Sequence, residues 1–152
     1  VIGWLLDTNV IASLLSPNGA LSVQTWADTQ KEDFFYISIL TLAEYDKGIE
    51  NLRDDNLNRH RYTAARNELE MRFSGRVLSL DDATIRRWGA ISGRVKQITG
   101  HTPPVIDTML AAQAQEKNLY LVTRNVRDVE RSGAAVFNPW KDDVAQFPLR
   151  SR

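Results

Sequence analysis

The sequence predicts an α/β protein built on a central, mostly parallel sheet. Short apolar runs alternate along the chain with longer stretches of helical periodicity, the pattern of strands joined by right-handed crossover helices. No internal repeat, low-complexity tract or linker interrupts that alternation, and 152 residues suit one compact domain with a sizeable core. The first run, Trp4-Leu5-Leu6, ends on Asp7, and an open α/β sheet carries its chemistry outside the carboxyl ends of its strands. The domain is expected over residues 1–147, with 148–152 a loose tail.

The elements follow in order. Gly3 to Leu6 is the first strand, and Val10 to Leu15 belongs to the helix after it. Ser16-Pro17-Asn18-Gly19 turns the chain. Ala20 to Gln30 forms a second helix with Leu21, Val23, Trp26 and Ala27 as its apolar residues, and Phe34 to Ile37 is an aromatic, β-branched strand. Ser38 caps a helix running to about Leu52, whose stripe is Leu42, Tyr45, Ile49 and Leu52. Glu44 lies off that stripe, with Gly48 one turn on. Beyond the polar connector Asp54-Asp55-Asn56, Asn58 to Phe73 is a charged amphipathic helix that pairs back as a hairpin. Arg76 to Leu80 is a short strand, and Asp81-Asp82 opens a helix holding Ile85, Trp88, Ile91 and Val95. Thr102-Pro103-Pro104 starts another helix, with proline in its first turn, running to about Lys117. Leu119 to Val122 is a buried strand; Thr123-Arg124-Asn125 turns into a short helix bearing Asp128. Ala134 to Phe137 is the last strand.

Composition excludes several classes. No apolar run approaches the ~20 residues that span a bilayer. The first apolar run is short and has no basic leader, so a cytoplasmic protein is expected. Cysteine is absent, which removes disulfides, thiolate zinc sites and Cys nucleophiles. His60 and His101 are too isolated for a zinc site or a catalytic triad. No glycine-rich phosphate loop occurs. Net charge is zero, but residues 1–60 carry more acid than base and residues 61–152 the reverse, many of the latter being Arg. A metal that recruits phosphate, flanked by Arg that hold it, would produce such a split; so would two differently charged solvated faces.

Four acids stand at four element ends: Asp7, Glu44, Asp107 and Asp128. Hard divalent cations take oxygen ligands, and a bound one acidifies water and neutralises phosphate charge. Each acid has a plainer explanation. Asp7 suits a helix N-cap. Glu44 suits an exposed helix face. Asp107 suits an early helical turn, where the macrodipole favours a carboxylate. Asp128, three residues after Asn125, mimics a capping box. The rival pair Asp81 and Asp82 immediately precedes an apolar-periodic helix and is explained by capping.

Leu5-Leu6-Asp7-Thr8-Asn9-Val10-Ile11 resembles the opening motif of the PIN-domain family, specifically the ribonuclease toxins of type II toxin–antitoxin pairs (the VapC/FitB-like group). Ile39 to Ile49, around Glu44, resembles the second acidic motif. Pro104 to Ala112, around Asp107, resembles the third, and Leu121 to Asp128 the fourth, ahead of Phe137-Asn138-Pro139-Trp140. The resemblance runs from Leu5 to Trp140. Two departures are Val129, where the group often has Phe, and Thr108, which replaces a commonly smaller residue.

The resemblance implies a three-layer α/β/α fold and RNA cleavage dependent on Mg²⁺ or Mn²⁺. It also implies a homodimer and inhibition by a small cognate antitoxin, in a hetero-oligomer with it. On this reading Asp7, Glu44 and Asp107 form the catalytic, metal-binding core, and Asp128 closes it or binds through water. Thr8, Thr123 and Asn125 orient carboxylates or waters, and Arg124 is a candidate phosphate contact. Two alternatives stay open. One is a phosphotransfer protein with Asp7 as nucleophile, although the second Asp typical of such proteins is replaced by Asn9. The other is a non-catalytic module that binds RNA or a partner through the same surface.

Overall fold

The computed structural model describes residues 1–150. Among them are strands β1 (Trp4–Leu6), β2 (Phe35–Ser38), β3 (Val77–Leu78), β4 (Tyr120–Val122) and β5 (Val136–Phe137). They form one sheet in the order β3-β2-β1-β4-β5, with every adjacent pair parallel. Trp4 lies opposite both Phe35 and Tyr120, and Leu6, Val122 and Phe137 align across three strands. Helices α1 (Thr8–Leu15), α2 (Leu21–Asp28), α3 (Ile39–Glu50), α4 (Asn58–Arg72), α5 (Asp82–Thr99), α6 (Val105–Glu116) and α7 (Val126–Val129) connect and cover it.

A parallel sheet sandwiched between helices must be apolar on both faces. The strands meet that demand with the period of two. Trp4, Leu6, Phe35, Ile37, Tyr120, Val122 and Phe137 pack against Val10 and Ile11 of α1, Val23 and Trp26 of α2, Leu42 of α3 and Leu69 of α4. Leu5 and Leu121 point the other way, onto Leu110, Ala111 and Ala114 of α6 and Val129 of α7. Helix α5 packs outside α6 through Ile91, Val95 and Ala112. The result is the three-layer α/β/α arrangement expected. Its first face is aromatic at the centre: the Trp4 ring lies 5.3 Å from Trp26, 5.0 Å from Tyr120 and 5.2 Å from Phe137. Such pairs contribute about 0.5–1.5 kcal/mol each beyond burial.

Capping follows the sequence. The Ser38 hydroxyl accepts from Leu40 N at 3.0 Å, and Asp81 accepts from Thr84 N at 2.9 Å while pairing with Lys117, the C-cap of α6, at 2.8 Å. Asp81 is thus a structural acid, as capping requires. The α3–α4 hairpin is held by Arg59, whose guanidinium donates to the Ile49 and Leu52 carbonyls (3.1 and 2.8 Å), and by the Arg66–Asp46 ion pair (2.8 Å).

Differences from expectation have local causes. A single 3₁₀ turn, Glu32–Phe34, delays β2 by one residue. Strand β3 stops at Leu78 rather than Leu80, where the Gln113 side-chain amide donates to the Leu78 and Ser79 carbonyls (3.2 and 3.0 Å). The tail is tied down at its start rather than loose. The Tyr120 hydroxyl donates to the Pro148 carbonyl at 2.9 Å, Leu149 packs on the core, and Arg150 N donates to the Val1 carbonyl at 2.9 Å. Residues 151 and 152 lie outside the described residues.

Strand order places the site. From β1 the chain moves outward through β2 and β3, then returns to the other side of β1 to lay down β4 and β5. The sense of winding reverses between β1 and β4, and the crevice beyond their carboxyl ends is where such sheets bind ligands. Asp7 follows β1 there, and Thr123 follows β4. No helix among the described residues is long and apolar enough to cross a membrane.

Candidate active site

A cleft of about 430 Å³ opens at this switch point, lined by Asp7, Thr8, Asn9, Ala12, Glu44, Ile106, Asp107 and Asn125. Three of the four acids singled out in the sequence therefore line one cavity, carried by the end of β1, the second turn of α3 and the first turn of α6.

Asp7 is only 5% exposed, and its carboxylate accepts three hydrogen bonds. Its Oδ1 accepts from Thr8 N at 2.7 Å, closing the start of α1. Its Oδ2 accepts from the Thr123 hydroxyl at 2.7 Å and from Asn9 Nδ2 at 3.2 Å. Asn9 also reaches Thr123 Oγ1 (3.3 Å) and accepts from Arg124 N (3.3 Å), joining the ends of β1 and β4. Capping and site placement are thus both properties of this one residue. Burial raises its pKa, opposed by the bonds from Thr123 and the Thr8 amide.

Glu44 is half-buried. Its Oε1 accepts from the Thr8 hydroxyl at 3.0 Å, and Thr8 Oγ1 lies 3.2 Å from the hydroxyl of Thr41. A hydroxyl has one proton. With that proton committed to Glu44, Thr8 takes Thr41 as its donor. Burial raises the Glu44 pKa and the charge of Asp7 adds to it, while Thr8 and Lys47 pull it down.

Asp107 shows the strain of the cluster most. Its pKa is pushed up to about 6, first by burial and then by the charges of Asp7, Asp128 and Glu44. Like charges facing one another in a cleft disfavour full ionisation.

The remaining predicted residues divide. Asn125 lines the cleft, and its N–H donates to Thr123 Oγ1 at 3.0 Å. Asp128 is exposed on α7 outside the cleft wall and acts on Asp107 by charge. No side-chain cap closes α7, so the capping-box pattern at Asn125 and Asp128 does not form. The guanidinium of Arg124 stacks over the Trp140 ring at 5.2 Å. Asn9, Thr41 and Ile106 were missed by sequence reasoning. A signal existed for the first two: an amide two residues after a strand-ending acid, and a hydroxyl one helical turn before Glu44.

Among the described residues no three acidic or histidine side chains close into a ready-made metal cage. The donor chemistry nevertheless fits a hard divalent cation. The cleft offers carboxylate oxygens and no sulfur or imidazole, and Mg²⁺ ordinarily takes one or two carboxylates and keeps several waters.

Residues 4–131 match the PIN domain family. Toxin FitB of Neisseria gonorrhoeae is 30% identical over 138 residues, covering 91% of this chain and 99% of that protein. VapC ribonuclease Y4jK of Sinorhizobium fredii is 29% identical over 141 residues, covering 90% and 97%. Among solved structures, FitAB bound to an IR36 DNA fragment superposes with a TM-score of 0.79 at 28% identity, covering 92% of this chain and 97% of that one. FitAcB from Neisseria gonorrhoeae gives 0.78 at 30%, covering 90% and 98%. The matched span encloses all four acids and strands β1 to β4, whose ends bring three of those acids to one cleft, and the chain belongs to the PIN domain family.

Proposed function

We propose that this chain is the ribonuclease toxin of a toxin–antitoxin pair, hydrolysing RNA phosphodiester bonds with a carboxylate-bound Mg²⁺ or Mn²⁺. The observation that carries the reading is the facing of Asp7, Glu44 and Asp107 across one cleft, where burial first and the neighbouring carboxylates next push the Asp107 pKa up to about 6. Perturbed acids in a cleft mark functional sites. The toxin and ribonuclease names of its relatives supply the substrate class.

Asp7, Glu44 and Asp107 are the residues that hold the cation, with Asp128 contributing charge or a water-mediated contact. A cation bound there supplies positive charge for the scissile phosphate and acidifies water. The protein's own groups orient the ligands. Thr123 and Thr8 N fix the rotamer of Asp7, Thr8 fixes Glu44, and Asn125 N and Asn9 hold Thr123 in place. Arg124, stacked on Trp140, supplies a phosphate contact from outside the cleft.

A small cognate antitoxin, a homodimer and a cytoplasmic setting complete the proposal. A guanidinium from the antitoxin is the simplest inhibitor of such a cleft, since it binds carboxylates in bidentate fashion and places positive charge among them. Phosphotransfer through Asp7 is disfavoured, because both of its oxygens accept bonds from protein donors in a buried setting.

The test is cleavage of a total RNA pool by the native chain and by Asp7→Asn, each with Mg²⁺, Mn²⁺ or EDTA. Cleavage by the native chain alone, abolished by EDTA, is the expected result. RNA binding without cleavage under every condition would establish the non-catalytic alternative.

A further inference from the structure

We infer that the groove between α3 and α4, beside the carboxylate cleft, is a subsite for one unpaired nucleobase of a single-stranded RNA, with the Tyr62 ring as its stacking platform. The inference rests on the nuclease reading above and assigns that site a second pocket.

The groove has a volume of about 310 Å³, and the surface it exposes is mostly apolar. It shares Thr8, Ala12 and Glu44 with the acidic cleft, so the two cavities lie side by side. Its far part is formed by Tyr45, Gly48, Ile49 and Tyr62, of which Tyr62 is the exposed ring. A polymer whose phosphate lies among the acids therefore has its neighbouring nucleotide beside this groove. Phosphate has no counter-charge in an apolar groove ending at Glu44. A base has a π-face and no net charge, and unpaired bases are recognised by stacking on aromatic side chains.

Three features suit the groove to a flat ligand. Tyr62, in the second turn of α4, is 44% exposed and so leaves its ring accessible. The platform is clamped on both sides. Arg59, one turn before it, donates to the Ile49 and Leu52 carbonyls, and Arg66, one turn after, pairs with Asp46. Gly48 keeps the floor open. A Cβ there would meet nothing within 4 Å, so packing does not demand glycine, and a mid-helix glycine costs about 0.5–1 kcal/mol relative to alanine. Clearance over the groove is the function left to it.

The test uses the full chain and short single-stranded RNAs in which an abasic nucleotide is moved along the sequence. In the native chain one abasic position next to the cut bond should raise KM, and Tyr62→Ala should raise KM on the intact RNA by a similar factor, about 5- to 100-fold. Combining the two should add little, kcat should change far less than KM, and Tyr62→Phe should behave as native. Equal KM for native and Tyr62→Ala, or additive losses, overturns the subsite. So does a Tyr62→Ala chain that binds RNA normally but no longer self-associates or binds its antitoxin, since the groove then belongs to a protein contact. If the native chain cuts no RNA at all, the nuclease reading fails separately. The subsite is then judged by binding of the same oligonucleotides, and equal affinity of native and Tyr62→Ala rejects it.

Discussion

The hydroxyl of Thr123 has one direction in which to send its proton, and that direction is Asp7. Its oxygen already accepts from Asn125 N at 3.0 Å and Asn9 Nδ2 at 3.3 Å, leaving the proton to form the 2.7 Å bond to Asp7 Oδ2. The bond crosses the β1–β4 seam between residues 116 apart in sequence. Thr123→Val keeps the shape and removes the donor and the acceptor. It should destabilise the chain by about 1–3 kcal/mol, because three buried or half-buried polar groups lose a partner. RNA cleavage should fall with it, while Thr123→Ser should restore both. Urea unfolding beside a cleavage assay reads the two effects. Native stability in Thr123→Val would mean the network is not under load.

The raised acids set a pH dependence. Asp107 has a folded pKa of about 6 against an ordinary 3.8, so between those values the folded chain holds more protons than the unfolded one. Stability from this group is therefore highest at low pH and declines as pH rises through about 4 to 6. Asp7 and Glu44, also raised, act with the same sign. A divalent cation should reverse the loss by neutralising the cluster, raising Tm near pH 7.5 and having little effect near pH 5. Asp107→Asn should flatten both responses. Thermal melts at the two pH values, with Mg²⁺, Mn²⁺ or EDTA, measure this. A cation effect equal at both pH values would locate cation binding elsewhere.

What was legible in the sequence was what depends on neighbours along the chain. Ser38 and Asp81 read as caps because a cap involves only a few consecutive residues, and both form those bonds. Asp7 read as a strand-ending acid for the same reason. The layers followed from periodicity. What escaped depends on contacts between distant segments. Asn9 drew notice only for standing where phosphotransfer proteins carry a second Asp, yet it joins the ends of β1 and β4. Gln113, mid-helix in α6, ends β3 from across the fold. The tail read as loose because nothing in Pro148 and Leu149 reveals the Tyr120 hydroxyl or the core face that hold them.

Two glycines should respond to alanine in opposite directions. A Cβ on Gly19 would lie 1.8 Å from the Ser13 carbonyl oxygen, a backbone atom of α1 that cannot move without opening the α1–α2 turn. That turn is also held by Ala20 N donating to Ser13 Oγ at 3.0 Å. Gly19→Ala should cost about 2 kcal/mol or more. Gly48→Ala meets nothing within 4 Å and should instead stabilise α3 by about 0.5–1 kcal/mol. Denaturant midpoints at unchanged m-value check both signs.

Asp7→Asn separates the folding role of this residue from its chemical one. Asparagine is as good an N-cap as aspartate, so the bond from Thr8 N survives in kind. Its amide nitrogen then stands where Oδ2 stood and cannot accept from the Thr123 hydroxyl or from Asn9 Nδ2, so those two bonds are lost. The change also removes a charge that burial disfavours, which offsets part of the lost bonding. The variant should therefore fold with a Tm within a few degrees of native. It should lose cleavage by at least about 100-fold, the scale on which a single preorganised electrostatic group acts in a water-poor site. It should also gain less Tm from Mg²⁺ or Mn²⁺ than the native chain does. A folded Asp7→Asn that cuts RNA at the native rate in the presence of metal would remove Asp7 from the catalytic set, and the cleft would then have to work through Glu44 and Asp107 alone.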